Sequence, residues 1–249
     1  MRAVQVTGNA VPGGDGFHGF RPEDFAVFEI PGFAPRMTAL RSRVSPKLTA
    51  LGAYLQPALC ELTGETLYAH VAQHLRRTVN PPVETWVAFA RSARAYKPFI
   101  HFRVAINAAS IRTVVFVEDD ADDKPLFATN LSRNAPAITR YLGQRPFIQS
   151  YELAGADGRP LSGPAFKSAR IKEFAGRLAR VKGQHASFGC SVSRQDECIA
   201  DGCALAARIV EYASDLLPLF RFGSIEKYRI AYPEPLRETA PRVSTADTE

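Results

Sequence analysis

Apolar residues recur at every third or fourth position between residues 37 and 55, which is the spacing of one face of an α-helix. The six positions are Met37, Leu40, Val44, Leu48, Leu51 and Leu55. Pro46 falls within this pattern, and since proline lacks a backbone N–H, we predict that it kinks or restarts the helix. Such a stripe packs against a protein core; a coiled-coil partner is the alternative, although the run is short for heptads.

Two further helices are predicted on either side of this one. Pro22, followed by two acidic residues, is typical of a helix start, and a short strand or turn is expected around residues 28–30. Residues 66–77 are predicted to form another helix, which Asn80 and the two prolines after it would end.

Stretches rich in β-branched and aromatic residues come next and predict a sheet. They cover residues 85–89, 99–106 and 111–117. The last two are joined by Asn107-Ala108-Ala109-Ser110, which we expect to form a hairpin, and short links of this kind favour antiparallel pairing.

The rest of the chain adds helices and strands without strict alternation. We predict a helix over residues 124–142, a strand over 147–153, a turn at Asp157-Gly158, a helix over 166–181, a strand over 186–192 and a helix from about 196 to 217. Because the elements cluster by type, the predicted class is α+β, a single domain with a mainly antiparallel sheet flanked by helices.

The predicted domain occupies residues 21–232 of a 249-residue chain. Residues 1–20 hold four glycines between Gly13 and Gly19 and show little periodicity, so they are predicted to form a flexible leader outside the core. Residues 233–249 carry three prolines and a polar ending, and are predicted to form a flexible tail.

The composition is that of a folded domain, with 46% hydrophobic and 22% charged residues. Apolar runs are shorter than the roughly 20 residues that cross a bilayer, and the first residues do not form a secretory signal, so we expect a cytoplasmic protein without membrane contact. The four cysteines lack the CxxC spacing of zinc sites and are predicted to be reduced thiols.

A net charge of +6 and a pI near 9.3 favour anionic partners. Five cations flank the turn expected at Asn80 and the strands after it, and Tyr96 lies among them. These cations are Arg76, Arg77, Arg94, Lys97 and Arg103. Guanidinium and ammonium groups suit phosphate or carboxylate ligands; the alternative is a solvated basic face paired with nearby acids.

Three histidines are candidates for chemistry. His70 and His74 are four residues apart, so a helix over residues 66–77 would place them on one face, and His101 would add a third nitrogen from a later strand. A metal ion or a haem is one interpretation, and general acid or base roles together with Tyr96 are another. The alternative is a histidine pair held by hydrogen bonds in the core.

Two further features have both a functional and a structural interpretation. Trp86, with nearby phenylalanines, is either an aromatic wall for a flat ligand or part of the core. The predicted helix over residues 166–181 carries five cations that suit nucleic-acid phosphates, but its apolar residues also form an ordinary core stripe. No RNA-binding or helix-turn-helix signature accompanies it.

The pattern HVAxHxRRxVNPPxxTWVAF, which begins at His70 and ends at Phe89, resembles the YktB-like family of bacterial domains of unknown function. The resemblance is strongest over residues 22–104 and implies a single α+β domain with a mainly antiparallel sheet and no known activity. Ala95 and Ile100 stand where the family pattern has glycine and proline, which bears on how the candidate surface and His101 are presented.

Together these patterns predict a pocket for a small anionic molecule, assisted, if by any cofactor, by a metal or a haem. The predicted acid–base or metal-ligating residues are His70, His74 and His101, with Tyr96 as a further acid–base group. The predicted ligand-binding residues are Arg76, Arg77, Asn80, Trp86, Arg94 and Lys97. A nucleic-acid-binding accessory protein, acting through the helix over residues 166–181, is the alternative. The sequence has neither a nucleotide-binding glycine loop nor a GxSxG nucleophile elbow, so whether the protein is an enzyme stays open.

Overall fold

The computed structural model describes residues 16–75, 78–150, 152–153 and 160–230, and centres on a seven-stranded sheet in the order β1-β2-β3-β4-β7-β5-β6. The strands are β1 (Tyr68–Val71), β2 (Glu84–Ala90), β3 (His101–Asn107), β4 (Ser110–Val117), β5 (Gln149–Ser150), β6 (Leu161–Ser162) and β7 (Ala186–Ser193). Neighbouring strands pair antiparallel, and β3 and β4 form the predicted hairpin. The predicted α+β class with a mainly antiparallel sheet is therefore confirmed.

The helices precede, interrupt and follow the strands along the chain. They are α1 (Pro22–Ala26), α2 (Phe33–Ala39), α3 (Ser45–Thr63), α4 (Lys124–Arg133), α5 (Ala135–Gly143), α6 (Ser168–Arg180) and α7 (Gly202–Ser224). The helix start at Pro22 is confirmed, and the short turn expected around residues 28–30 is a 3-10 turn, Val27–Glu29.

The apolar stripe between residues 37 and 55 lies on helices, as predicted. A π turn, Leu40–Val44, joins α2 directly to α3. Pro46 occupies the first turn of α3, a position that proline tolerates because the N–H it lacks has little use there. The helical segment is therefore irregular at the π turn just before Pro46, and the apolar stripe is buried on both sides of this turn.

Alternation along the strands gives the sheet two chemically different faces. On the first face, Val87 contacts α3 at Gly52, and the Phe102 ring stacks on Phe220 of α7 with 4.7 Å between centroids. On the opposite side of the same strands, polar and aromatic side chains replace the aliphatic ones. We call this side the second face, and it carries Trp86, His101, Arg103, Phe116 and Ser187.

The predicted helix over residues 66–77 is wrong. Tyr68–Val71 is the edge strand β1, which pairs with β2 so that His70 lies opposite Ala88. Residues 72–75 continue without a helix, and residues 76–77 lie outside the described part of the chain. The segment pairs with the open edge of β2 instead of forming a helix, because a helix of about 12 residues is marginal in water without a well-packed face.

The predicted helix over residues 124–142 is two helices. The chain turns at Asn134, and Pro136 then begins α5. The Asn134 side chain stabilises this turn, since its amide donates to the Asn130 carbonyl at 2.8 Å and to the Tyr228 carbonyl at 2.9 Å. A polar side chain that bonds the backbone on both sides replaces the helical hydrogen bonds that are lost at the break.

The remaining predictions for the second half of the chain have mixed outcomes. Among the described residues of the strand expected over residues 147–153, only Gln149–Ser150 is extended and paired, and the turn expected at residues 157–158 lies outside the described residues. The last helix begins at Gly202 instead of about residue 196, because the Asp201 carboxylate accepts hydrogen bonds from two backbone N–H groups of its first turn. The helix and strand predicted over residues 166–181 and 186–192 are confirmed as α6 and β7.

The core begins before residue 21. Phe17 and Phe20 are buried, and the backbone N–H of Phe20 donates to the Ile199 carbonyl at 2.8 Å. The prediction that residues 1–20 lie outside the core is therefore wrong at these two positions. Residues 1–15 and 231–249 lie outside the described part of the chain, so the remaining leader and the tail stay predictions.

Two further findings concern membrane-spanning helices and the cysteines. Within the described residues, no helix combines the length and the apolar composition that a bilayer span requires. Cys60, Cys190, Cys198 and Cys203 are free thiols.

Gly189 provides a test of the sheet packing. It lies in β7 opposite Val114, and a Cβ at this position would overlap the Val114 side chain and the Thr113 carbonyl oxygen. We expect Gly189→Ala to lower the free energy of unfolding by about 1–3 kcal/mol, measured by chemical denaturation, because the strands cannot separate without losing their ladder. Gly183→Ala is the control, since nothing lies within 4 Å of its added Cβ; equal stability of the two variants would contradict the expectation.

Candidate functional site

A phenol and two imidazoles meet on the second face. The connection from β2 to β3 folds over this face and brings the Tyr96 ring to 5.1 Å from His101 and 5.9 Å from His70, between centroids. The His70 ring is fixed in turn, because its Nε2 donates to the Ser92 carbonyl at 2.8 Å. His70, His101 and Tyr96 are thus brought together, as the sequence predicts.

His101 is closed to ligands. Its side chain is buried, its Nδ1 donates to the Phe99 carbonyl at 2.8 Å, and its Nε2 accepts from Arg103 Nη2 at 3.2 Å. An arginine can only donate, so this pair fixes the tautomer. Burial, together with the Arg103 charge, holds the pKa of His101 well below its usual 6.5. The ring is therefore neutral, and neither nitrogen is left for a metal.

Arg103 is the centre of the second face. Its guanidinium carbon lies 3.6 Å from the Phe116 ring centroid and 4.3 Å from that of Trp86, so the cation is sandwiched between two rings. Its Nη2 donates to Glu118 Oε1 at 2.7 Å. Burial lowers the pKa of Arg103, although the Glu118 charge opposes this effect. The cation is held by one carboxylate, two rings and one imidazole.

Tyr96 shares this environment. Burial raises the pKa of its phenol, while the positive charge of Arg103 and the indole N–H of Trp86 act in the opposite direction. The phenol therefore stays protonated at neutral pH and is a hydrogen-bond donor to anything that reaches it.

His74 lies apart from the Tyr96 cluster. Its ring meets Trp86 edge to face at 5.2 Å, and its Nε2 lies 3.1 Å from Thr85 Oγ1. Its φ of 51° is in the left-handed region, which residues other than glycine rarely adopt. The predicted helical histidine pair is wrong, because His70 lies on β1 and His74 on the irregular segment after it. Among the described residues, no group of three or more His, Cys, Asp or Glu side chains could hold a metal ion.

A groove of about 450 Å³ lies beside His74, between the π turn and the β1 edge of the sheet. One part of its wall is apolar and consists of Met37, Leu40, Val71, Ala72 and Leu75. The other part is polar and consists of Arg41, Ser45, Thr49, Gln73, His74 and Thr85. This wall contains no carboxylate, so it favours a ligand that is negatively charged.

The remaining predicted residues are dispersed. Arg94 and Lys97 are exposed on the connection that carries Tyr96, and Asn80 is exposed before β2. Trp86 is half-buried and contacts Arg103 and His74, which makes it a wall between the Tyr96 cluster and the groove. Arg76 and Arg77 lie outside the described residues, so their role as ligand-binding residues stays a prediction.

Sequence reasoning missed several residues of this region. Arg103 was predicted as one of five cations around a ligand and not as a buried, paired residue, Glu118 was counted only among the acids near that cluster, and Arg41 was hidden in a helix assigned to the core. The signal for Arg103 is its position next to buried residues in β3, His-Phe-Arg-Val-Ala-Ile-Asn, where a cation interrupts an apolar strand. No comparable signal marks Arg41, because its side chain reaches the groove only through the geometry of the π turn.

A second missed group lies at the β7 end of the second face. The Glu152 carboxylate accepts from Ser187 Oγ at 2.8 Å and lies 3.1 Å from His185 Nε2, and the His185 ring stacks on Phe116 at 5.4 Å. Burial alone would raise the pKa of Glu152, but the hydrogen bonds from His185 and Ser187 outweigh it and the pKa is lowered. The hydrogen bond to Glu152 raises the pKa of His185, against the effect of partial burial.

The pair formed by Arg103 and Glu118 can be tested by removing the Glu118 charge alone and then both charges together. We expect Glu118→Gln to lower the free energy of unfolding by about 3–5 kcal/mol in chemical denaturation, because it leaves a buried guanidinium without a counter-charge. Arg103→Met/Glu118→Gln should recover part of this loss, since no charge is left buried. The control is Glu29→Gln, which breaks the exposed pair with Arg194 and should cost less than about 1 kcal/mol. Similar losses in both single variants would contradict the role of burial.

The His185 pair should make stability depend on pH. A raised folded-state pKa means that the charged imidazole stabilises the fold fully below the unfolded value of 6.5, and that this contribution is lost as pH rises through the folded value. We expect His185→Gln to lose about 0.5 kcal/mol more at pH 5.5 than at pH 9, in keeping with a half-exposed pair. Chemical denaturation at both pH values measures this difference. His18→Gln, at an exposed position, should show no such difference, and a pH-independent loss in the His185 variant would contradict the assignment.

Comparison with known proteins shows the relationship of the chain. Residues 20–220 match the family described as "Domain of unknown function (DUF1054)". A UPF0637 protein of Staphylococcus aureus (strain MSSA476) is 33% identical over 204 residues, which cover 81% of this chain and 97% of that protein. A UPF0637 protein of Staphylococcus haemolyticus (strain JCSC1435) is 46% identical over 105 residues, 42% of this chain and 52% of that protein. The resemblance to the YktB-like family is thus confirmed, and the chain belongs to the DUF1054 family of domains of unknown function.

Proposed function

We propose that this protein binds a small anionic molecule with an apolar portion in the groove beside His74. One observation carries the proposal: the groove joins an apolar wall to a wall of hydrogen-bonding side chains and one arginine, without a carboxylate. Its volume of about 450 Å³ is within the usual range of small-molecule sites.

Arg41 supplies the positive charge. It forms no ion pair with an acidic residue of the described chain, and its neighbours in the groove, Ser45 and Thr49, carry hydroxyl groups. A guanidinium that is not already paired can form two parallel hydrogen bonds to a carboxylate or a phosphate. Arg41 therefore takes the place of the predicted ligand-binding cations as the anchor of this proposal, and the roles of Arg76, Arg77, Arg94 and Lys97 stay predictions.

His74 supplies a fixed donor or acceptor. The contact with Trp86 and the hydrogen bond with Thr85 hold its ring at the groove wall although its backbone is in the left-handed region. A backbone of this kind costs of the order of 1–3 kcal/mol and is found mostly where a site needs it. In this proposal, the strain serves to hold the imidazole at the groove wall.

The apolar wall indicates which chemical group the rest of the ligand carries. Met37 lies on α2 and Leu40 on the π turn, whereas Val71 ends β1 and Leu75 follows it. An alkyl or aryl group placed between them would gain about 25 cal/mol for each Å² of apolar surface removed from water. A carboxylate attached to such a group matches both walls, whereas inorganic phosphate matches only one.

The proposal can be tested with phenylacetate as the probe. We expect phenylacetate to shift the backbone amide signals of Gln73, His74 and Thr85 in a ¹⁵N-labelled sample, and Arg41→Ala to weaken this binding about tenfold, because one charged hydrogen-bond pair is lost.

The matched control is Arg43→Ala, which removes an exposed arginine of the same π turn that does not line the groove and should leave the affinity unchanged. Phenethylamine, with the same ring and the opposite charge, should cause no shifts at these amides. Equal binding of the two probes, equal loss in both variants or no shifts with phenylacetate at millimolar concentration would each rule the proposal out.

A further inference from the structure

The outward side of α6 is strongly basic. Its buried positions are Ile171, Phe174, Ala175 and Leu178, which pack it against the core. The exposed cations at and along the helix are Lys167, Arg170, Lys172, Arg177 and Arg180. Glu173 is the one acidic residue in the sequence of α6. The core stripe and the basic side are therefore separate faces of one helix, and the cations are not needed to fill the core.

Most of this charge is not neutralised by neighbours. Lys167, Lys172 and Arg180 form no ion pair with an acidic residue in the described part of the chain. Arg177 donates to the backbone carbonyl of Glu152 at 3.3 Å, a contact that leaves its charge in place. Exposed cations of like sign along one helix repel each other, so a partner of opposite charge would lower the energy of this surface.

A groove of about 520 Å³ follows the helix on the side of residues 152–153. Lys167, Arg170 and Arg177 line it together with Glu152 and Glu173. The charge of Glu152 is already engaged, because its carboxylate faces Ser187 and His185. Of the two acids, Glu173 is thus the one whose charge opposes an anion in the groove.

The length of the basic side indicates a polymer more than a single small anion. Arg180 lies thirteen positions after Lys167, and at about 1.5 Å per position the two are roughly 20 Å apart along the helix. Phosphates follow each other at about 3.4 Å along one strand of a duplex, so several of them fit within this length. Ala169 and Ala179 lie exposed among the cations and leave room for a backbone to approach.

We infer that α6 and the groove beside it bind the phosphate backbone of a nucleic acid without reading its bases. The site is separate from the His74 groove, and neither depends on the other. Each phosphate that the helix contacts would release counterions, so the affinity should fall steeply with salt.

The test uses the full chain and a fluorescein-labelled 20-nucleotide oligo(dT), with binding followed by fluorescence anisotropy from about 20 to 200 mM NaCl. We expect a complex at low salt whose log–log salt slope becomes shallower by roughly 1 to 2 in Lys172→Ala/Arg180→Ala, because two phosphate contacts are removed. Glu173→Gln should tighten binding several-fold, since it removes the negative charge that faces the anion.

The matched control is Arg43→Ala/Arg229→Ala, which removes the same charge from exposed positions that belong neither to α6 nor to the groove beside it and should keep the wild-type slope. Absence of a complex at 20 mM NaCl overturns the inference, as does an equal change of slope in the two double variants. A 20-nucleotide oligo(dT) that binds no better than a 5-nucleotide one overturns the extended site, because a small anion site would not distinguish the two lengths.

Discussion

The buried charge of Arg103 organises the second face of the sheet. A guanidinium taken out of water needs a counter-charge and further contacts, and here Glu118, the two rings of Trp86 and Phe116, and the lone pair of His101 provide them. Trp86 comes from β2, His101 from β3, and Phe116 and Glu118 from β4 and the residue after it, so satisfying one cation fixes the relative positions of β2, β3 and β4. The connection that carries Tyr96 is then closed over this network, because the phenol packs on the same imidazole that accepts from the arginine.

Polar side chains that hold the strands together are thus separate from the polar side chains that line the grooves. Burial lowers the pKa of both the His101 imidazole and the Arg103 guanidinium, yet both groups are enclosed by their own partners. A perturbed pKa marks such a network as readily as it marks a site of chemistry. The two grooves lie at the margins of this network: one is lined by Arg41 and His74 on the β1 side, and the other lies beside α6, next to Glu152. Trp86 contacts both Arg103 and His74 and so lies between the centre of the face and the first groove.

Sequence alone predicted the parts of the fold in which local pattern and tertiary packing agree. The β-branched and aromatic residues of 85–89 and 111–117 predicted β2 and β4, and the apolar stripe from Met37 to Leu55 predicted buried helices. It failed at β1, where four residues with weak preferences are held as a strand by one neighbour, and at Asn134, whose side-chain hydrogen bonds end a helix that periodicity would continue. For the site, the sequence predicted that His70 and His101 approach each other, but it placed His70 on a helix, whereas the structure places it on β1. The separation of His74 was not predicted, because the predicted helix does not form, and the closing of His101 depends on a cation whose burial no spacing reveals.

The π turn at Leu40–Val44 sets the rotation of α2 relative to α3. A π turn holds one residue more than the α-helical turn it replaces, and each residue rotates a helix by about 100°. Deleting Ser42 or Arg43 would let α2 and α3 run on as one regular helix and would rotate the two helices against each other by that angle. Arg41 and the buried Leu40 are neighbours on this turn, so the charge that lines the hollow and the apolar contact beneath it would be displaced together.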